Sequence, residues 1–437
     1  MVFLLSKRSV LWNHRDFLNV WAAETVSVFG SQFYLIAMPL AAVMILEAAP
    51  YEMGILFALE MLPFLLFGLL AGVLADRKCR RTIMIVCDFG RAAVLAVVPV
   101  SWYFGALSMP ILYGVAFVAG IFTAFFDIAY QAYLPVLVRK SELLDANSKL
   151  ETSRASSQVG GPSLAGVVVS ALGAPLAITG NSLSFLGSAF FLLRVKKREL
   201  VHRAEICKSV LGEIREGLDI VLSSKMLRSI AGCTGTGNLF WGISFAILIL
   251  FMESTLELSP SWIGAIFAVG ALGAVAGAVS SSRIVSAFGL GNAIILSALL
   301  GGVPSMLIVL AYPSNALLVL MPIWFVTGFT GVVYNVNQVS LRQAITPDHL
   351  QGKMNATMRF IVWGVYPIGG LIGGFLGETV GLRMTILIAG IGMLASVLWV
   401  ILSPVAKVEA LPSGCEEAEE AGQDHGRDDG ACSAQTQ

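Results

Sequence analysis

Five charged residues lie inside long apolar stretches of this sequence, where an ionisable side chain is energetically expensive and usually functional. Three carboxylates, Glu24, Glu60 and Asp127, stand apart from a fourth, Asp88, which lies one helical turn from the positively charged Arg91. A carboxylate without a basic partner takes up a proton more readily in a low-dielectric environment than in water. None of the four histidines falls within an apolar stretch. The three carboxylates are therefore candidate proton-coupling residues, although Glu60 could instead face water in a cavity or bond to helix hydroxyls.

Asp88, Arg91 and Asp127 are expected to form a buried ion pair. Counted from the ends of their apolar stretches at about 1.5 Å per residue, Arg91 and Asp127 lie roughly 12 Å and 14 Å deep. They can therefore meet across adjacent helices, with Asp88 one turn nearer the end of its stretch. Two interpretations stay open: a static pair that holds the helices together, or a gate that breaks and re-forms.

A short, strongly basic loop follows the second apolar stretch. It reads G-x-L-A-D-R-x-x-R-R and contains Gly72, Asp76, Arg77, Arg80 and Arg81. Its position between two bilayer-length segments predicts a fixed loop on the cytoplasmic side of a membrane. Read from the residues alone, the loop can determine topology, and Asp76 near the start of the next helix can cap that helix.

A second cluster combines polar residues with helix-breaking ones in the fifth apolar segment. A proline frees a backbone carbonyl and kinks a helix, and glycines let a neighbouring backbone approach closely. The element is either a packing seam or part of a moving seal. Its residues are Arg154, Gln158, Gly160, Gly161, Pro162 and Gly166.

The elements that position these residues are transmembrane helices. The chain has 437 residues, of which 57% are apolar and 13% charged, with a mean hydropathy of +0.81. Apolar segments of roughly 20 residues predict twelve spans. They cover 17–46, 52–74, 83–104, 110–136, 153–172, 175–194, 227–252, 260–282, 291–312, 315–340, 354–377 and 383–404.

The spans form two halves that repeat each other. Arg154 with Pro162 corresponds to Arg359 with Pro367 at an offset of 205, and Arg77 corresponds to Arg283 at nearly the same offset. Parallel repeats of six spans are typical of facilitator-type transporters. The sequence predicts four regions: an N-terminal half (1–194), a cytoplasmic linker (195–226) with a short helix, a C-terminal half (227–404), and an acidic, disordered cytoplasmic tail (405–437).

The distribution of basic residues orients the bundle. Among 28 Lys and Arg residues, Arg383 falls in a predicted outside loop and Arg91 lies within a span, while the others lie on or near one face. The positive-inside rule then places both termini in the cytoplasm. No Walker A, H-E-x-x-H or G-x-S-x-G pattern occurs, which argues against an ATP-driven pump or a membrane hydrolase.

The basic loop resembles the signature loop between helices 2 and 3 of the major facilitator superfamily. The stretch 125–135 and the polar element of the fifth segment resemble a bacterial branch that contains macrolide and multidrug efflux proteins and the enterobactin exporter. The chain departs from this branch at Ile128, where proline is usual, and it lacks the central arginine of helix 4 that drug–proton antiporters carry. The resemblance implies that the loop controls opening toward the cytoplasm and that the fifth segment carries an antiporter-type motif.

The expected fold is an all-α integral membrane protein with twelve helices and a central cavity. The expected function is export of a hydrophobic or amphiphilic small molecule of the antibiotic or drug class across the bacterial inner membrane, by proton antiport. Alternatives are a dedicated exporter of a siderophore or self-made antibiotic, and a lysolipid translocator. We expect a monomer that is not an enzyme and has no cofactor, metal or nucleic-acid partner. Candidate cavity residues are Tyr113, Phe117, Asn238, Trp241, Tyr334, Asn335 and Gln338.

Overall fold

The computed structural model describes residues 10–197, 199, 210–347 and 350–410, which are helical with no strand among them. The helices are α1 (Arg15–Leu46), α2 (Pro50–Arg77), α3 (Arg80–Tyr103), α4 (Met109–Leu137), α5 (Leu143–Leu172), α6 (Ala174–Leu193), α7 (Val210–Ser223), α8 (Lys225–Leu250), α9 (Pro260–Phe288), α10 (Leu290–Leu307), α11 (Ala316–Ala344), α12 (Gln351–Thr379), α13 (Leu382–Ser396) and α14 (Leu398–Ile401).

The transmembrane helices are α1–α6 and α8–α13, with α13 extended by α14. Within the described ranges, eleven helices are long and apolar enough to cross a membrane. The twelfth long helix, α5, has 30 residues but is more polar, because Asp145, Lys149, Glu151 and Arg154 lie in its first half. The expectation of an all-helical, twelve-span fold is confirmed. The fifth span was predicted to begin at 153, whereas the helix begins about ten residues earlier, at Leu143.

Tight connections at one end of the bundle join consecutive helices into hairpins. Gly173, with a φ of 85°, connects α5 to α6, and Gly381, with a φ of 88°, connects α12 to α13. Glycine suits these positions because a side chain disfavours positive φ. We call this end of the bundle the hairpin end. The opposite end, where α1 begins and α14 ends, is the termini end.

The helices pack as two groups of six that meet along two seams. One seam joins α2 to α12 and the other joins α5 to α9. Glycines line both seams: a Cβ added to Gly54 would lie 2.7 Å from the Cα of Gly374, and one added to Gly264 would lie 2.2 Å from the carbonyl oxygen of Pro162. The halves therefore touch backbone to backbone along these seams.

The hydrophobic core differs between the two ends. At the hairpin end, one continuous cluster includes residues of both halves, for example Ile36 and Leu112 together with Ile263 and Leu320. At the termini end, the apolar residues form two separate clusters, one within α1, α3, α4, α5 and α6 and the other within α7, α8, α10, α11, α12 and α14. The bundle is therefore closed by shared packing at the hairpin end and divided at the termini end.

Part of the linker is helical, as the spacing of Leu211, Ile214, Leu218 and Val221 predicts. In α7, Val221 is fully buried, and Gly217 lies against Thr357 of α12. The predicted tail begins at 405, but Val405 is fully buried and the carbonyls of Val408 and Glu409 accept from Gly291 and Leu290 at the start of α10, so the chain is still packed there. Residues 200–209 of the linker and the tail beyond 410 lie outside the described residues, and their character stays a prediction.

Candidate functional site

Asp88 and Arg91 form an ion pair one turn apart on α3. Both side chains are almost fully buried, and the guanidinium of Arg91 lies between two phenyl rings, 4.1 Å from the centre of Phe126 and 4.0 Å from that of Phe185. Stacking on both faces fixes the guanidinium between α4 and α6. This arrangement favours the static interpretation of the pair.

The structure does not bring Asp127 into contact with Arg91, so the expected cross-helix pair is wrong. Arg91 bonds to Asp88 because a residue three positions away on the same helix is within direct reach. Asp127 is half-buried on α4, and the charges of Arg91, Arg154 and Arg359 act on it from three different helices. Since Arg359 belongs to the C-terminal half, Asp127 lies where the two halves face each other.

Glu24 has a basic neighbour on another helix, which corrects the view of this carboxylate as isolated. Its Oε1 atom lies 3.8 Å from a guanidinium nitrogen of Arg154 on α5. Next to this contact, the Thr25 hydroxyl lies 3.0 Å from that of Ser153 and ties α1 to α5. The Oε2 atom of Glu24 is buried without a hydrogen-bond partner. Sequence spacing could not show this contact, because it joins residues about 130 positions apart.

Glu60 differs from the other carboxylates of the spans, and its side chain is half-buried. Within the part of the chain that the structure describes, no charged side chain and no hydrogen bond acts on its carboxyl group. Its charge acts on the phenol of Tyr34 on α1, whose hydroxyl is itself buried without a partner. Glu60 therefore matches the expectation of an isolated carboxylate, and Tyr34 is a neighbour that the sequence did not indicate.

The basic loop is anchored to the N-terminal half. Arg81 donates from Nε to the Leu192 carbonyl at 2.9 Å and from a terminal nitrogen to the Leu193 carbonyl at 2.8 Å, at the end of α6. Arg80 lies 3.9 Å from Glu199. The contacts of Arg81 add a charged donor to carbonyls in the last turn of α6, where the intrahelical hydrogen bonds end.

Three other residues of the basic loop lie at the end of α2. The Arg77 side chain is exposed, and a Cβ at Gly72 would meet nothing within 4 Å. The side chain of Asp76 lies outside the described residues.

The antiporter-type element of α5 contacts two different helices. A Cβ at Gly161 would lie 2.5 Å from Gln32 of α1, and a Cβ at Gly166 would lie 2.3 Å from the Pro260 carbonyl of α9. A Cβ at Gly160 would have only Phe29 near it, 4.0 Å away. Arg154 and Gln158 are exposed at the termini side of the same helix. The element thus joins the α5–α9 seam to the charged region around Glu24.

The expected cavity residues fall into two groups. On α8 and α11, Tyr334 bonds to Thr234 at 2.7 Å, and Gln338 donates to Asn335 at 3.0 Å. Trp241 is partly exposed on α8.

The remaining three candidate cavity residues, Asn238, Tyr113 and Phe117, also contact neighbouring helices. The Asn238 amide donates to the Val362 carbonyl at 2.9 Å, the Tyr113 hydroxyl lies 3.4 Å from the Glu52 carbonyl, and the Phe117 ring lies 6.4 Å from that of Phe67.

A cluster of aromatic rings lies at the boundary between the two halves. Trp241 stacks on Phe245 at 4.2 Å, Phe245 lies 5.7 Å from Phe57, and Trp241 lies 5.5 Å from Tyr366. We call this set, which continues to Phe267 and Trp324, the ring cluster. Phe57, Phe245 and Tyr366 were not expected here, because a ring in an apolar span has no sequence signal that separates it from a lipid-facing one.

Paired six-helix groups, glycine-lined seams and buried charged side chains within the N-terminal half match a known family. Residues 11–422 match the family model described as "Transmembrane secretion effector", a branch of the major facilitator superfamily. The chain belongs to this family. It is a multi-pass membrane transporter of small molecules, not an enzyme.

Curated relatives of this facilitator family cover most of the chain. An uncharacterized transporter, YfiS of Bacillus subtilis, is 25% identical over 86% of this chain and 90% of its own length. The multidrug efflux pump Tap of Mycolicibacterium fortuitum is 28% identical over 76% and 82%, respectively. Macrolide efflux protein A of Streptococcus pyogenes is 27% identical over 48% of this chain and 52% of its own length.

Solved structures share the fold. A bacterial homologue of the iron transporter ferroportin in an inward-facing state has a TM-score of 0.73 at 17% identity and covers 90% of this chain and 99% of its own. The nucleoside transporter NupG has a TM-score of 0.67 at 12% identity and covers 89% of this chain and 98% of its own. At these identities the likeness shows the facilitator fold alone.

Proposed function

We propose that this facilitator exports hydrophobic or amphiphilic small molecules of the drug or antibiotic class from bacteria by proton antiport. The relatives named as a multidrug efflux pump and a macrolide efflux protein support the direction of transport and the substrate class. The observation that carries the mechanism is the divided core at the termini end, next to buried carboxylates in one half.

The positive-inside rule supports an orientation with both termini in the cytoplasm of the bacterial inner membrane. The divided termini end then opens toward the cytoplasm, and the shared core of the hairpin end closes the outer side. Transport requires the halves to rock, so that packing is lost at the hairpin end and gained at the termini end. A single chain contains both halves, so we propose that the monomer transports.

Proton coupling falls to Glu60, Glu24 and Asp127. Glu60 lies without a charged partner among the described residues, so its protonation changes the net charge of the region between the halves. The charge of Arg359 in the C-terminal half acts on Asp127, so protonation of Asp127 weakens an attraction that depends on how close the two halves are. The contact of Glu24 with Arg154 lies within the N-terminal half, so protonation of Glu24 weakens the attraction between α1 and α5. The arrangements of Glu60 and Asp127 link proton uptake to the conformational equilibrium.

The loop and the antiporter-type element are the proposed moving parts. Arg81 fixes the start of α3 to the end of α6, so the loop moves with the N-terminal half as one body. The glycines of α5 let that half slide against α9 without a side chain in the way. We propose that Asp76 and Arg77 act on opening toward the cytoplasm.

Transport into everted membrane vesicles tests this proposal. Vesicles that contain the chain should accumulate macrolides or lipophilic dyes when their interior is acidified, and an uncoupler should stop the accumulation. Uptake that is unaffected by collapse of the proton gradient would contradict antiport. Uptake of a siderophore or a lysophospholipid in place of all drugs on the panel would replace the drug-export proposal with the corresponding alternative.

A further inference from the structure

Three exposed arginines lie on seam helices toward the termini end of the bundle. Arg77 is the last residue of α2, Arg154 lies on α5, and Arg359 lies on α12. The charges of Arg154 and Arg359 both act on Asp127, so these two side chains approach the space between the halves from opposite sides. We call Arg77, Arg154 and Arg359 the mouth arginines, because the two halves part at this end.

The mouth arginines have few protein partners, whereas other basic side chains at this end are engaged. Arg81 and Lys197, for example, donate to carbonyls in the last turns of α6 and α4. Among the described residues, two of the mouth arginines form no ion pair, and the third, Arg154, has only the 3.8 Å contact with Glu24. The surface that they form is therefore complementary to an anionic partner.

The last 27 residues of the chain, 411–437, carry the opposite charge. They contain seven acidic residues and one arginine, Arg427, which gives a formal charge of −6 with His425 neutral. Because the whole chain has no net charge, residues 1–410 carry +6. Blocks of like charge at a chain terminus are often interaction segments. The acidic residues are Glu416, Glu417, Glu419, Glu420, Asp424, Asp428 and Asp429.

This acidic segment leaves the protein at the same end as the mouth arginines. Val405 is fully buried, and the carbonyl of Glu409 accepts from Leu290 at the start of α10 at 3.0 Å. At no more than about 3.6 Å per residue, Glu416 can lie up to about 25 Å from Glu409, and Asp429 up to about 70 Å. The acidic residues can therefore reach the mouth arginines of the same molecule.

We propose that the acidic segment 411–437 docks on the mouth arginines and obstructs the opening between the halves. Its carboxylates face the guanidinium groups of both halves, so docking requires the halves to be apart at the termini end and stabilises that arrangement. The docked segment also obstructs the path by which a solute enters from the cytoplasm. Docking does not depend on what is transported, but its effect on the transport rate rests on the proposed export function and orientation.

Crosslinking in the purified full chain tests the docking without transport. A bifunctional maleimide can join Cys415, which precedes the first acidic residue, to Cys79, two positions beyond Arg77, in a chain with Cys207→Ser and Cys432→Ser. We expect this link to form in phosphatidylcholine nanodiscs at low ionic strength. Its yield should fall several-fold at about 1 M salt, where the Debye length is only about 3 Å.

Charge variants assign the link to the proposed contact. Replacing the seven acidic residues by their amides should lower the yield several-fold, and Arg427→Gln should raise it, because the segment becomes more negative. Arg359→Gln should lower the yield, whereas Arg228→Gln, at an exposed arginine of α8, should not.

Two results would overturn the docking. Equal yields with the acidic and the amide segments would mean that the two cysteines meet without attraction between charges. Loss of the link when phosphatidylglycerol replaces phosphatidylcholine would assign the mouth arginines to anionic lipid head groups.

Export rates test the consequence separately. At low ionic strength, a chain that ends at residue 410 and the chain with the amide segment should transport into everted vesicles roughly two- to fivefold faster than the full chain. This is the range expected if about half to four fifths of the full-length molecules are obstructed. Unchanged rates in both variants would overturn the obstruction even if the link forms. A chain that forms the charge-dependent link but transports nothing keeps the docking and loses the export function.

Discussion

The two halves repeat one six-helix fold, but they differ in where they hold charge. The four carboxylates deep within apolar spans, Glu24, Glu60, Asp88 and Asp127, belong to the N-terminal half, whereas Glu253 and Glu378 of the C-terminal half lie toward the hairpin end. The C-terminal half instead contributes most of the ring cluster and a series of amides on α8 and α11. We infer that the two halves have different roles: the N-terminal half takes up and releases protons, and the C-terminal half contacts the substrate.

The strongest test of this division is removal of the isolated carboxylate. Glu60→Gln keeps the shape and hydrogen-bonding capacity of the side chain but cannot release a proton, so we expect uphill export to be abolished. Glu24→Gln should reduce export less, because Arg154 already offsets the charge of Glu24. Proton-driven uptake into everted vesicles measures both. Unchanged uptake with unchanged pH dependence in the double variant would remove both residues from proton coupling and transfer that role to Asp127.

The next effect concerns stability within the N-terminal half. Arg91→Met leaves the Asp88 carboxylate buried without its partner, which should lower the free energy of unfolding by about 3–5 kcal/mol. Thermal unfolding in detergent measures this. The double variant Asp88→Asn, Arg91→Met should recover part of the loss, because it leaves no unpaired charge. Arg283→Met, at an exposed position of the other half, is the control. Equal destabilisation by Arg91→Met and Arg283→Met would mean that the ion pair of Asp88 and Arg91 does not contribute to stability.

A third effect concerns the seam where the halves meet. Gly54→Val places methyl groups against the Gly370 carbonyl and the Gly374 backbone, and overpacking of this kind costs about 1–3 kcal/mol. Thermal unfolding of the detergent-solubilised protein should show this loss. Gly68→Val on the same helix is a matched control, since a Cβ there meets nothing within 4 Å. If the two variants were equally stable, α2 and α12 would not be in close contact.

The smallest effect is expected in the C-terminal half. Asn238→Leu removes the bond to the Val362 carbonyl, which should cost about 1 kcal/mol of stability. Because this half is assigned no proton chemistry, the pH profile of export should keep its midpoint even if the rate changes. A shifted midpoint in Asn238→Leu, with Glu60 intact, would contradict the assignment of proton uptake to the N-terminal half alone.

The fold was predictable from the sequence because a helix that crosses the bilayer needs about 20 mostly apolar residues. Apolar runs of bilayer length predict the twelve spans, and the offset of 205 between Arg154 and Arg359 predicts their division into two groups. The start of α5 was missed because its first turns carry Asp145, Lys149 and Glu151, and an apolar-run criterion stops at such residues. Hydropathy alone therefore does not show where a helix such as α5, with charged residues in its first turns, begins.

The charged residues of the site were predictable from the sequence, but the ion pairs that they form were not. Charges within apolar spans identified Glu24, Glu60, Asp88, Arg91 and Asp127, since few other roles tolerate them there. Depth along each helix suggested that Arg91 meets Asp127, but depth gives no information on which face a residue occupies. The actual partners, Asp88 for Arg91 and Arg154 for Glu24, depend on helix rotation and on packing between distant segments.

The polarity of α5 has a consequence for how the protein is made. A charged residue in the middle of a membrane helix costs about 2.5–3.5 kcal/mol when that helix inserts alone, so α5 is the span least suited to enter the bilayer by itself. The single-glycine connection to α6 lets the two insert together as a hairpin. Yet α5 is covered on one side by α9, which the ribosome produces about ninety residues later. Until the second six helices are made, the surface of α5 around Pro162 and Gly166 therefore lacks α9 as its partner, and a gene cut between the halves should yield an N-terminal product that membrane proteases remove.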